Sequence, residues 1–135
     1  RLSIMAFGNL KFDTLTTSGQ IHGSEVSIDA DYINHGSTKH WVLLGSSGTS
    51  VTDSFNNTSV ADNGTGDYTL TRTNNMANAT FCVNVTSGSH GTSYNVATDT
   101  ATQTTAVFDI RGANATEGAT ADIPNTNGLV LGDLA

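Results

Sequence analysis

Apolar and polar residues alternate with a period of two over much of this chain, and this alternation constrains the fold more than any other feature. In the segment EVSIDADYI, Val26, Ile28 and Ala30 share one side and polar residues occupy the other. The segment ATFCVNVTS alternates in the same way. Because side chains of a β-strand point alternately to opposite faces, each segment predicts a strand with one buried face. No segment of helical length carries apolar residues at a spacing of 3.6 residues.

The residues between these segments are typical of turns. Glycine, serine and asparagine recur about every ten positions, a rhythm that suits a sandwich or a small barrel. Threonine is abundant in the strand segments, where its β-branch favours extended backbone. The sequence therefore predicts an all-β protein of roughly seven to nine strands. Its expected architecture is an antiparallel sandwich, or a small barrel-like jelly roll, with extended terminal arms.

A change of composition near residue 112 predicts the domain organisation. We expect an N-terminal strand or arm over 1–24 that anchors the chain to the virion or to another subunit, a sandwich domain over 25–111 and an extended C-terminal arm over 112–135. The last segment is small and polar before it ends in the apolar stretch LVLGDLA. It is either a frayed terminus or an assembly arm that docks on a neighbouring subunit through Leu129, Val130, Leu131 and Leu134.

The predicted core centres on the segment KHWVLLG. Its continuous apolar run predicts a central strand that is buried on both faces, with Trp41 as the principal core residue. A buried tryptophan at this position implies that Trp41→Ala costs ~3–5 kcal/mol. The other predicted core residues are aromatic or aliphatic residues of the alternating segments: Phe55, Tyr68, Leu70, Phe81, Val83 and Phe108.

The net charge and the shortness of the apolar runs argue against two classes of function, nucleic-acid binding and membrane association. The formal net charge is −7, and the five lysine and arginine residues are scattered, which disfavours nucleic-acid binding. No apolar run approaches the ~18 residues of a membrane-spanning helix, so no membrane partner is predicted. The single cysteine, Cys82, is interpreted as a small apolar core residue.

The stretch DNGTGD has two interpretations, a metal-binding loop or a turn between strands. A calcium loop needs several converging oxygen ligands, often at alternate positions and followed by a glutamate. Asp62, Asn63 and Asp67 do not have that spacing, whereas Gly64 and Gly66 suit a hairpin turn that needs positive φ angles. The flanking segments have strand composition. We therefore predict a hairpin, with no metal site.

No catalytic or cofactor-binding residue is predicted. The four histidines lack the close spacing of zinc ligands, and they are expected on the surface or at an interface: His22, His35, His40 and His90. The chain has no G-x-S-x-G nucleophile motif. Six N-x-S/T sequons leave open a secreted glycoprotein.

A longer pattern over residues 36–86 is similar to a β-rich domain of tail-fibre and related virion proteins of tailed bacteriophages. The similarity rests on a Lys-x-Trp-Val strand, a Ser-Phe-Asn stretch, the DNGTGDYT hairpin and a Met-Ala turn, in that order. The matching positions are Lys39, Trp41, Val42, Ser54, Phe55, Asn56, the residues 62–69, Met76 and Ala77. The start MAFGNLKFDTLTTSGQI also resembles the beginnings of small structural proteins of such phages.

This resemblance implies a non-enzymatic structural protein on the virion surface, an extracellular particle, with a role in host attachment. It implies a homo-oligomer, commonly a trimer, with other virion proteins and a host cell-surface glycan or protein as partners. One alternative is capsid decoration by a head-fibre or cement protein. The other is a secreted glycoprotein or carbohydrate-binding module. The receptor-binding residues are not identified by sequence.

Overall fold

The structure is a computed structural model that describes residues 20–22, 27–46, 48–88, 94–114 and 118–135. The chain divides into two compact units, Arg1–Ala30 and Asp31–Ala135. In the first unit, β1 (Gln20–His22) pairs with β2 (Ser27–Asp29) in antiparallel orientation. Most of the N-terminal arm predicted over 1–24 lies outside the described residues.

A short helix, α1 (Ala30–Gly36), follows β2 and was not predicted. The strand predicted from EVSIDADYI ends at Asp29, and aspartate is favoured directly before the first helical residue. The N–H of Ser37 donates to the carbonyl of Ile33 at 3.1 Å where the helix ends. With seven residues the helix makes only about two turns, too few to show a 3.6-residue period.

Two antiparallel four-stranded sheets build the second unit and pack against each other, which confirms the predicted all-β sandwich. The first sheet contains, in spatial order, β4 (Val51–Phe55), β3 (Thr38–Leu44), β10 (Thr126–Leu131) and β7 (Cys82–Ser87). The second contains β5 (Asn57–Gly64), β6 (Asp67–Arg72), β9 (Val107–Asn114) and β8 (Tyr94–Asp99).

The core lies between the two sheets and is made of one face of each. The first sheet contributes Val42, Leu44 and Val130, and the second contributes Tyr68, Leu70, Phe108 and Ile110. Met76 packs with them from a connection. Removing a leucine-sized side chain from water stabilises the fold by about 1.5–3 kcal/mol, so this cluster is the main source of stability. The core predictions for Tyr68, Leu70 and Phe108 are confirmed, while Phe81 and Val83 pack against the cluster partly buried.

The structure corrects the prediction that Trp41 and Phe55 belong to the core. Trp41 is only partly buried, and Phe55 is 51% exposed. Burial along β3 alternates beyond His40, so Val42 and Leu44 point inward while Trp41 points to the opposite face. Within the second unit, no further sheet covers that outer face among the described residues. A continuous apolar run therefore does not identify a strand that is buried on both sides.

The C-terminal segment is also corrected, because it is not a free arm. Residues 126–131 form β10, which pairs with β3 on one side and with β7 on the other. Val130 is fully buried in the core, whereas Leu129 and Leu134 are exposed. The apolar end of the chain is thus used within its own sandwich. Residues 112–114 likewise belong to β9.

His40 is a buried histidine, which corrects its predicted surface position. Its Nε2 lies 3.2 Å from Oδ1 of Asn57, and its ring makes an edge contact with Phe108 at 5.2 Å between centroids. Burial lowers the pKa of His40 to about 4, and the nearby charge of Arg72 acts in the same direction. The imidazole is therefore neutral at neutral pH.

This burial predicts acid sensitivity. The pKa of His40 is about 4 in the folded chain, below the ordinary value of 6.5, so the unfolded chain binds more protons between these pH values. Stability is complete above pH ~6.5 and falls by about 2–3 kcal/mol as the pH drops towards 4. Urea unfolding between pH 4 and 8 measures this loss.

One variant controls the acid experiment. His40→Gln is expected to reduce the dependence of the unfolding free energy on pH over this range. An unchanged pH profile in His40→Gln contradicts the assignment to His40.

Candidate functional site

The outer face of the first sheet carries the most distinctive surface of the described residues. Strand register places four outward side chains in one row across the sheet, namely Phe55, Trp41, Leu129 and Asn84. The same register places a second row beside it, namely Asp53, Leu43, Asn127 and Thr86. We call these eight residues the outer-face grid. It combines two aromatic rings with amides and a hydroxyl.

A shallow groove of about 310 Å³ lies within the grid. It is lined by Trp41, Val42, Leu43, Asn84, Thr86, Asn127, Gly128 and Leu129. The volume is at the lower end of the range of small-molecule sites, about 300–1,000 Å³. No lining side chain carries a formal charge. The groove therefore offers an apolar floor with uncharged polar groups.

The polar groups of the groove are available for a ligand. Within the described part of the chain, the side chains of Asn84 and Thr86 make no hydrogen bond. Asn127 Nδ2 makes one long contact, at 3.4 Å to the carbonyl of Asn125. An amide side chain donates and accepts, and a hydroxyl does both. The groove can thus pair with a ligand that also presents donors and acceptors.

Sequence reasoning missed this site, although part of its signal was present. The alternation in ATFCVNVTS already placed Asn84 on the side opposite the core. Alternation in KHWVLLG separates Trp41 and Leu43 from Val42 and Leu44, but it does not indicate which of the two sides faces the core. Nothing in the sequence indicated that β10 lies between β3 and β7, and this pairing is what brings Asn127 and Leu129 beside Trp41.

The hairpin predicted at DNGTGD is confirmed. β5 and β6 pair in antiparallel orientation around it, and Gly64 and Gly66 have φ angles of 128° and 70°. Oδ1 of Asp62 accepts the N–H of Gly64 at 2.9 Å, and Nδ2 of Asn63 donates to Oδ1 of Asp67 at 3.2 Å. These side chains stabilise the turn from within.

A residue that sequence analysis did not single out fixes the hairpin to the rest of the sandwich. Oδ1 of Asp122 accepts the hydroxyl of Tyr68 at 2.6 Å and the N–H of Gly66 at 2.7 Å. The Tyr68 hydroxyl and then the Gly66 N–H hold the pKa of Asp122 below its ordinary value. Burial, and then the hydrogen bond to Asp122, raise the pKa of Tyr68. The hydroxyl therefore stays protonated as a donor.

Asp67 is engaged by a cation of the chain itself. Nη1 of Arg111 forms an ion pair with Asp67, and its Nη2 lies 3.5 Å from carboxylate oxygens of both Asp99 and Asp109. Thr69 Oγ1 donates to Asp109 at 2.6 Å. Among the described residues, no three histidine, cysteine, aspartate or glutamate side chains are grouped so that they could hold a metal ion.

The remaining candidate residues are dispersed. Cys82 is exposed on β7 and is not the core residue predicted. His35 is exposed, and its Nδ1 lies 2.7 Å from Oδ1 of Asp133. His90 is outside the described residues. The amide of Asn56 donates to the carbonyls of Lys39 and Asn74, so this sequon is used inside the fold.

A helix long and apolar enough to cross a membrane does not occur in the described ranges. Comparison with protein-family models, curated proteins and solved structures finds no match for this chain.

Proposed function

We propose that this chain is a non-enzymatic structural protein on the virion surface of a tailed bacteriophage, with a role in host attachment. The observation that carries the proposal is the outward position of Trp41 and Phe55. Large aromatic residues on an open sheet face contribute little to the core and are typical of contact surfaces. The resemblance of residues 36–86 to tail-fibre domains supports the virion assignment.

The other properties of the chain are consistent with such a role. Only 13% of the residues are charged, and the surface polarity comes from threonine, serine and asparagine. The sandwich supplies a rigid support, because each groove residue stands on a strand whose other face is packed into the core. Assembly as a trimer would repeat the outer-face grid three times and raise avidity.

An adsorption experiment tests the proposal. Immunogold labelling of intact phage particles that encode the chain is expected to mark the tail. Excess purified chain is expected to reduce adsorption of these particles to host cells, and the double variant Trp41→Ala, Phe55→Ala to compete less. Label spread over the head indicates capsid decoration instead. Particles without label contradict the proposal.

Oligomeric state is measured separately by light scattering. The chain mass is 14.0 kDa, and we expect a particle of three times this mass. A monomer at micromolar concentration contradicts the trimer but leaves the surface location open to the labelling experiment.

A further inference from the structure

We infer that the groove of the outer-face grid binds a neutral sugar ring, stacked on Trp41 and hydrogen-bonded by Asn84, Thr86 and Asn127. The inference rests on the proposed function, because it names the class of host molecule that the attachment face recognises.

The chemistry of the groove matches the two kinds of surface that a sugar presents. One face of a pyranose ring is made of C–H groups, and its rim carries hydroxyls that donate and accept. The face of the Trp41 indole is electron-rich and apolar, which suits the C–H groups. Asn84 lies in the same row as Trp41, on the far side of Leu129, and Thr86 and Asn127 lie in the adjacent row. Their side chains offer both donors and acceptors. The indole Nε1–H is a further donor, with no partner in the described part of the chain.

Charge selects neutral sugars. The groove lining carries no formal charge, and Asp53 at the edge of the grid is negative. The whole chain has a net charge of −7, so an acidic sugar such as a sialic acid is repelled on approach. No arginine or lysine lines the groove to pair with a carboxylate or phosphate.

Size favours a small ligand over a second copy of the chain. Four strands at their usual separation span about 14 Å, and two outward positions along a strand cover about 7 Å. This area is far below the ~800 Å² that each partner buries in a stable protein interface. One or two sugar rings fill such a patch.

The chain supplies its own reporter for the test. Trp41 is the only tryptophan, so fluorescence excited selectively in tryptophan, and not in the three tyrosines, reports on the groove itself. Purified chain is titrated with neutral oligosaccharides of glucose, galactose, mannose and N-acetylglucosamine, and with a sialylated trisaccharide as the anionic counterpart. A saturable change in fluorescence is expected with at least one neutral sugar. The sialylated sugar is expected to bind at least tenfold more weakly.

Calorimetry with the same sugar tests the residues. Trp41→Ala is expected to weaken binding at least tenfold, and Asn127→Ala several-fold. Tyr32→Ala removes an aromatic side chain that is 79% exposed and does not line the groove, and it is expected to bind as the parent chain does. Asn127→Ala keeps the test valid if Trp41→Ala does not fold, which circular dichroism detects.

Each other outcome overturns the inference. Absence of a response to every neutral sugar does so, as does unchanged binding by Trp41→Ala and Asn127→Ala. Equal binding of the sialylated sugar contradicts the preference for neutral sugars, and a dimer that Trp41→Ala dissociates assigns the face to a second copy.

Failure of the sugar inference can be distinguished from failure of the proposed function. If Trp41→Ala fails to compete in adsorption but no sugar binds, the attachment function stands and the receptor is another molecule. If a sugar binds but particles carry no label, the proposed function fails and the sugar site stands.

Discussion

Truncation of Phe108 to alanine is expected to destabilise the chain by ~3–5 kcal/mol, because the ring is fully buried at the centre of the core. Phe108 pairs with Leu70 in register and contacts the ring of His40. The guanidinium of Arg72 lies 5.1 Å from its centroid, so the truncation also removes a cation–π contact. Urea unfolding at neutral pH measures the loss as a lower midpoint with an unchanged slope.

Trp41→Ala is the matched control for this prediction, since it removes an even larger aromatic side chain from the outer face. We expect the free energy of unfolding to fall by about 1 kcal/mol, because Trp41 makes only cross-strand pair contacts with Phe55 and Leu129. Equal losses in the two variants would contradict the outward position of Trp41. They would also remove the observation on which the proposed attachment face depends.

Gly66→Ala is expected to cost about 3 kcal/mol or more, through the hairpin rather than the core. A Cβ built at Gly66 lies 2.5 Å from the carbonyl oxygen of Gly112 and 2.6 Å from that of Ala121. Both obstacles are backbone atoms, which cannot rotate away. The φ angle of 70° adds strain for any residue with a side chain. Relief of the clash would also pull the N–H of Gly66 away from Asp122.

Gly64→Ala separates steric clash from backbone strain in the same turn. Its φ angle of 128° is also unfavourable for alanine, but no atom lies within 4 Å of the added Cβ. We expect a loss of about 1 kcal/mol, measured by thermal and urea unfolding beside Gly66→Ala. A Gly66→Ala loss no larger than that of Gly64→Ala would show that the turn is not wedged between β9 and the connection that follows it.

The hairpin was predictable because its determinants are local. Two glycines, an asparagine and two aspartates within six positions specify the turn, and the flanking alternation specifies the strands. Asp122 was not predictable, since it lies 54 residues from Tyr68 in sequence and its role depends on how the connection before β10 folds back. The same limit applies to Arg111, which meets Asp67 only because β6 and β9 are neighbours.

The candidate site shows a similar division. Alternation separates the two sides of each strand, so the position of Asn84 opposite the core was predictable from the sequence. In KHWVLLG both sides are apolar, so the sequence did not indicate that Trp41 faces outward. Long-range packing decides which strands lie beside each other. The segment predicted as a C-terminal arm contains β10, which is a central strand of the first sheet. The burial of His40 has the same origin, because a polar side chain in an alternating segment gives no signal of what covers it.

The sequence by itself determined the all-β class, the hairpin and three core residues, Tyr68, Leu70 and Phe108. These depend on the two-residue period of a strand and on backbone preferences of turn residues, which act over a few positions. Only the tertiary structure decided that Trp41 faces outward and that the C-terminal strand completes the sheet beside it. Those features depend on contacts between residues about 90 positions apart, such as Trp41 with Leu129, and a strand's own sequence does not specify its neighbours.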